Sequence, residues 1–381
     1  MTDTPRIGID AINLLGGGGR THLIELLGAS DPARHGFSTI IVWGCPDTLE
    51  KLPKRPWIEP RPIRSLSNAT VFHRSFWQIA SLSREARRAG CDVLLVPGGS
   101  FFGSFHPFVA MSQNMLPFEL AERARYGWSL KRLRLALLHL TQRSTFRRAD
   151  AVISLSGHAR AMIEAVEGIA SDRITVIPHG VSPRFHRAPD ARSGSSDGPL
   201  TLLYVSPIEP YKHHDHVIAG VARARQDSGR DLRLRLVGPG SLARRQGLKR
   251  LMQRFDKAGR WISYAGPIPF DQIDREMKAA DIALFASSCE ACPNILLEYM
   301  AAGLPILSSD RGPMPEITGE AAVHFDPEDA TSLASALVRL VKAPELRDRI
   351  AREAHGKARE MSWTRCADDS FSLLIGSARA R

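Results

Sequence analysis

Two carboxylates, Glu290 and Glu298, stand eight positions apart in SSCEACPNILLEYMAAG (287–303), with a Cys-Pro-Asn turn between them. Asp281 to Ser287 reads as a strand, Pro293 interrupts, and LLEYMAAG reads as a helix closing at Gly303. Glu290 is therefore expected on a loop and Glu298 in the first turn or so of the helix, so the two are not partners along one helix. A carboxylate can accept two hydroxyls of a sugar or ribose at once. The free N–H groups at the helix start, from residues such as Asn294 and Ile295, favour an anion. Loop and helix together would grip a molecule with phosphates in its middle and hydroxyls at both ends, the form of a nucleotide sugar. The plainer alternative is that Glu298 is a first-turn acid complementing the helix dipole.

Lys212 follows a strand that ends at Ser206 and stands at the start of the next helix. The carboxyl end of a strand is where open α/β sheets bind ligands, and a diphosphate is the anion such a lysine suits; a solvated surface lysine is the alternative. His213, His214 and His216 beside it lack a convincing set of further metal ligands and read as helix-surface histidines. The loops LVGPGS (236–241, with Gly238) and YAGPIPF (264–270) end the next two strands with small residues, which can read a base edge through the main chain or serve as plain turns. Near the N-terminus, LLGGGGRTHLIELL joins a strand to a helix. Its consecutive glycines let an anion approach the amides at the helix start, although the spacing is neither GxGxxG nor a P-loop. The single CxxC at Cys289 and Cys292 lacks a second pair, which makes zinc a poor reading.

The elements that must position these residues follow from the apolar pattern. Short buried-strand runs, RIGIDAINL, TIIVWG, DVLLVPG, AVISLS, ITVIP, LTLLYVS, LRLRLVG, DIALFAS and LPILSS, alternate with helix-period segments, which argues for α/β doubly wound parallel sheets. RAPDARSGSSDGP (187–199) is rich in Ser, Gly, Pro and Asp and reads as the linker between two halves. The closing helical pattern of Trp363, Cys366, Phe371 and Leu374 falls beyond the second half and is expected to cross back onto the first.

A chain of 381 residues suits two cores, and its formal charge of +11 points to an anionic partner. Residues 120–160 are strongly basic. Within them Trp128, Leu130, Leu133, Leu137 and Leu140 form the stripe of an amphipathic helix, which either lies on an anionic membrane surface through 120–148 or faces the core. The aromatics do not interleave with the basic residues as a stacking platform would require, so nucleic acid is not the expected partner. Five cysteines without a framework spacing suit a reducing compartment. With neither a signal-peptide pattern nor a run of roughly 18 apolar residues, the expectation is a cytoplasmic protein, peripheral on the membrane at most.

The glycine-rich loop, the strand-end lysine and the Glu-x7-Glu element running into LEYMAAGLPILSSDRGPMPEI resemble the retaining GT-B glycosyltransferases of family 4, most of all the bacterial envelope-polysaccharide enzymes of group 1. The resemblance implies two Rossmann-like domains facing a cleft: 1–190 on the acceptor side, 191–362 binding the nucleotide sugar, and 363–381 packing back on the first. It implies that Glu298 binds the donor ribose and Lys212 the diphosphate, that Glu290 meets the donor sugar near the reacting carbon, and that Asn294, Ile295, Ser206 and Gly238 line the donor site. Gly17, Gly18 and Gly19, with Gln113 and Asn114, would stand on the phosphate and acceptor side. The chain departs from the family pattern in three ways. Pro207 replaces its phosphate-binding arginine, Gln113-Asn114 replaces its His-Asp pair, and Pro293 lacks an N–H.

The expected activity is retaining transfer of a hexose, mannose among the candidates, from a nucleotide diphosphate sugar to a lipid-linked or polysaccharide acceptor. No cofactor is expected, and no metal, because the chain has no Asp-x-Asp. The rival readings are a hydrolysing epimerase or phosphorylase using the same donor, and a basic membrane- or nucleic-acid-binding protein.

Overall fold

The computed structural model describes residues 4–66, 69–189 and 198–380. The chain divides into two compact units. The first comprises 1–123, 127–180 and 362–381; the second comprises 124–126 and 181–361. The division falls at Gly180/Val181, ahead of the expected linker, most of which (190–197) lies outside the described residues.

The first unit is built on seven parallel strands: β1 (Arg6–Ala11), β2 (Thr39–Gly44), β3 (Ile58–Pro62), β4 (Val93–Val96), β5 (Phe108–Ser112), β6 (Ala151–Ser154) and β7 (Ile174–Val176). Their order across the sheet is β3-β2-β1-β4-β5-β6-β7. The second unit holds β8 (Leu200–Val205), β9 (Leu232–Val237), β10 (Ile262–Tyr264), β11 (Ile282–Phe285), β12 (Ile306–Ser309) and β13 (Val323–Phe325), ordered β10-β9-β8-β11-β12-β13 and again parallel. Strands covered on both faces need apolar side chains at successive positions rather than at alternate ones. Ile282, Ala283, Leu284 and Phe285 of β11 are accordingly all fully buried.

In each sheet the strand order reverses once, between β1 and β4 and between β8 and β11. Loops leaving the carboxyl ends of such a strand pair diverge and leave a crevice, which is where doubly wound sheets take ligands. The residues singled out by type and spacing leave these strands: the glycine run follows β1, Lys212 follows β8, and Glu290 follows β11.

The helix Trp363–Arg379 belongs to the first unit although the second sheet precedes it in sequence. Ser362 caps its start by accepting from the Arg365 amide. The buried residues Trp363, Cys366, Ala367, Ser370, Phe371, Leu374 and Ile375 recur at helical spacing, so one stripe faces inward. Phe371 packs 5.2 Å from the Phe37 ring and 4.8 Å from the His35 ring.

Candidate active site

In the second unit, the chain leaving β8 runs from Ser206 to a short 3-10 turn, Pro210–Lys212, before the helix His214–Ser228. That turn aims Lys212 inward. Its side chain is 5% exposed as a residue, lies 5.1 and 5.2 Å from the rings of Tyr211 and Phe285, and donates to Glu290 Oε1. Ser287 Oγ donates to the same carboxylate oxygen at 2.7 Å. The two charged residues from the loops after β8 and β11 are therefore one ion pair, which the sequence kept as separate features.

His213 holds the two loops together. It is 2% exposed, its φ of +48° lies in the left-handed region, and its Nε2 is 2.8 Å from Ser288 Oγ. The Ser288 amide in turn donates to the Tyr211 carbonyl at 2.9 Å. His214 is also buried, 3.3 Å from Ser206 Oγ, and desolvation pushes its imidazole down to about 3. The expectation of surface histidines fails for these two. A one-sequence reading places them on a helix face, whereas they begin that helix where it meets the sheet, and the Nε2 atom of each meets a serine of the crevice.

Glu298 is the fifth residue of the helix Asn294–Ala301 and is buried, so it is not the first-turn acid of the plainer reading. Pro293 precedes the helix and gives it no side-chain cap. Among the described residues the amides of Asn294 and Ile295 have no acceptor within the chain, and Asn294 Oδ1 is buried without a partner. Two donors and one acceptor are thus left over at the helix start. Gly303, with φ of +65°, closes the helix as its glycine suggested.

Ser206 and Gly238 meet through the backbone. A Cβ on Gly238 would lie 2.0 Å from the Ser206 carbonyl oxygen, and its φ of +142° is a second reason for glycine. Tyr264 donates to the Gly238 carbonyl at 2.8 Å, which ties the ends of β9 and β10. A cavity of about 910 Å³ opens on the helix side of this region, lined among others by Ile208, Glu209, His213, His214 and Arg244. It is ligand-sized, yet Lys212, Glu290 and Glu298 do not line it, so it flanks the ion pair rather than containing it.

In the first unit, Gly17, Gly18 and Gly19 open the helix Gly17–Gly28, which has no side-chain cap and no acid in its first turn. A Cβ on Gly19 would lie 3.1 Å from Gln113 Oε1, so the structure brings the glycine run and Gln113 together. Gln113 Nε2 donates to the Pro97 carbonyl at 3.2 Å, and Asn114 Oδ1 accepts from the Leu116 amide at 3.1 Å. Both amides are in use as loop ties. Trp128, Leu130, Leu133, Leu137 and Leu140, on and just before the helix Leu130–Arg148, are exposed, which decides against their facing the core.

Among the described residues no group of three or more His, Cys, Asp or Glu is placed to hold a metal ion, and no helix is long and apolar enough to cross a membrane. Two adjoining family descriptions match the chain, "Glycosyltransferase Family 4" over residues 16–185 and "Glycosyl transferases group 1" over residues 187–357. The chain belongs to the group 1, family 4 glycosyltransferases. Its fold is GT-B, two Rossmann-like units, and it is a transferase of glycosyl groups. Glycogen synthase of Mycobacterium tuberculosis is 26% identical over 283 residues, covering 72% of this chain and 67% of that protein. O-antigen chain mannosyltransferase B of Escherichia coli is 24% identical over 234 residues, covering 60% and 58%. Anabaena HepE, solved in complex with UDP-glucose, superposes with a TM-score of 0.70 at 16% identity, covering 98% of this chain and 99% of that one, which is a likeness of fold.

Proposed function

We propose that this glycosyltransferase moves a hexose from a nucleotide diphosphate sugar to a lipid-linked or polysaccharide acceptor in cell-envelope glycan synthesis, with retention at the anomeric carbon and without a metal ion or other cofactor. The observation that carries the reading is the Lys212–Glu290 pair, set where the strand order of the second sheet reverses. Lys212 holds the donor diphosphate, helped by the unused amides of Asn294 and Ile295, and Glu298 anchors the ribose. When the bond from the anomeric carbon to the diphosphate breaks, its electron pair goes to the phosphate oxygen, and these preset donors stabilise that charge. Binding of the diphosphate takes Lys212 from Glu290 and leaves the carboxylate to face the electron-poor sugar carbon. Ser206 and Gly238 line the donor side through the main chain. The glycine run, Gln113 and Asn114 serve the acceptor side.

The mannosyltransferase and the UDP-glucose complex among the similar proteins suggest the donors to try first. A thermal-shift screen of UDP, GDP, ADP and dTDP sugars identifies the donor, since a ligand at 100 times its dissociation constant adds about 2.7 kcal/mol. Glu290→Gln then abolishes transfer while nucleotide affinity is kept; turnover near that of the parent enzyme sinks the assignment. Labelled donor incubated without acceptor stays unepimerised. Transfer survives exhaustive chelation, and a loss restored by a divalent cation would refute metal independence. The exposed leucines and the basic residues around them dock the enzyme on anionic lipid at the cytoplasmic face.

A further inference from the structure

The cavity of about 910 Å³ in the second unit has a lining of its own, apart from Lys212, Glu290 and Glu298. Two helix starts face it. The first turn of His214–Ser228 contributes His214, Asp215 and His216, and among the described residues that helix has no side-chain cap. The helix Leu242–Phe255 contributes its N-cap Ser241 and then Arg244, Gly247, Leu248 and Leu251, one face at helical spacing. Helix starts present unpaired amides and the positive end of the dipole, which favour an anion.

His214 supplies an independent sign of a missing partner. It lines the cavity and is 8% exposed; its Nε2 meets Ser206 Oγ at 3.3 Å, while its Nδ1 is buried and, among the described residues, has no partner. Buried polar atoms are rarely left unbonded. The Ser206 hydroxyl can donate to Nε2, which puts the ring proton on Nδ1 and makes it a donor.

The charges around the cavity decide the sign of the ligand. Glu209 already accepts from the Tyr126 hydroxyl at 3.1 Å, and the Asp215 side chain is 67% exposed and solvated. Arg125, on the stretch 124–126 of the same unit, pairs with Glu328 at 2.6 Å. Arg244 reaches Glu209 only at 3.8 Å, too far for a hydrogen bond, so its guanidinium has donors to offer. Ile208, Leu248 and Leu251 give the cavity an apolar wall. Its volume suits a small organic molecule rather than a bare ion.

We propose that this cavity is a second ligand site, separate from the donor's, which takes a phosphate monoester of about nucleotide size. The phosphoryl oxygens accept from His214 Nδ1, the first amides of His214–Ser228 and the Arg244 guanidinium, and the rest of the ester lies on the apolar wall. A sugar phosphate and a nucleoside monophosphate share this chemistry.

The test is a thermal-shift titration of the full chain in the Lys212→Met/Glu290→Gln background, which removes the pair assigned to the donor. Glucose 6-phosphate and adenosine 5′-monophosphate are the probes, each compared with potassium sulfate at matched ionic strength. One ester is expected to raise the melting temperature beyond sulfate, and the ester that does so names the source. Two added changes act on the cavity from the helix Leu242–Phe255. Arg244→Gln removes the charge and should weaken the ester by about tenfold or more. Gly247→Phe fills the space, since a Cβ there meets nothing within 4 Å, and should abolish the rise; replacing a glycine inside a helix favours the fold. The proposal is overturned if neither ester exceeds sulfate, or if the affinity in either added variant matches that of the background.

Discussion

Lys212 is desolvated between Tyr211 and Phe285 and depends on Glu290 for charge compensation. Removing one member of a buried pair strands the other, whereas removing both does not. Lys212→Met is therefore expected to cost about 1–3 kcal/mol, at the low end of the usual range because Glu290 is partly exposed. Lys212→Met/Glu290→Gln should recover much of the loss while staying inactive. Denaturant midpoints of the four proteins in this cycle measure the coupling, and strictly additive losses would mean that the pair is not compensating. His213 makes a different demand. Its left-handed backbone costs a side-chain-bearing residue about 1–2 kcal/mol, and the bond to Ser288 offsets that cost. His213→Ala loses the bond and keeps the backbone cost, so it is expected to be less stable by about 1–2 kcal/mol. His213→Asn, which tolerates this conformation better, should fall between; a ranking of alanine above asparagine would contradict the account.

At the level of elements, Gly238 leaves no room for a side chain against the Ser206 carbonyl. A methyl group cannot be accommodated 2.0 Å from a backbone oxygen, so Gly238→Ala should lose about 3 kcal/mol or more of stability, read as a fall in melting temperature. The helix Leu130–Arg148 is the opposite case, because its apolar stripe is already in solvent. Changing Leu133, Leu137 and Leu140 to Gln should leave the melting temperature within a degree or two and weaken binding to anionic vesicles by about tenfold or more; unchanged vesicle binding would remove this helix from the membrane contact. The pattern of elements explains what could be read in advance. Strands buried on both faces advertise themselves as apolar runs, so β1, β8 and β11, which carry the site, were legible. β3 contains Pro60 and Pro62 and is tolerated only because it lies at the sheet's edge, β13 has three residues, and β5 is a run of only five. Spacing and residue type singled out Glu290, Lys212 and Glu298 as candidates. The Lys212–Glu290 pairing and the clamp by His213 were not, since both join the loops after β8 and β11, brought together only by strand order.

On the scale of the whole chain, the first unit is closed by three residues from distant places, His22 on the first helix, His179 just before the unit boundary, and Trp363 at the head of the C-terminal helix. His22 Nδ1 and His179 Nδ1 lie 2.9 Å apart, which one shared proton satisfies and two would not. Desolvation lowers both imidazoles, His22 from 6.5 to about 4 and His179 well below 6.5 with His22 adding to it. Between about pH 4 and 6.5 the unfolded chain thus binds protons that the native pair refuses, so stability rises with pH across this window. The contribution is complete above pH 6.5 and is lost as the pH falls toward 4. His214 in the second unit acts with the same sign. Asp10, raised by burial from 3.8 to about 6, acts against them, because the native state holds a proton there that the unfolded chain has released. Burial also lowers His139, His186, His324 and His355 and raises Asp310, so the histidines outnumber the aspartates and the melting temperature falls on acidification from pH 7 to 4.5. His22→Gln/His179→Asn should melt with a visibly shallower dependence on pH over that interval, even where it melts lower at pH 7. A curve as steep as that of the parent protein would show that acid loosens the chain somewhere other than this closure.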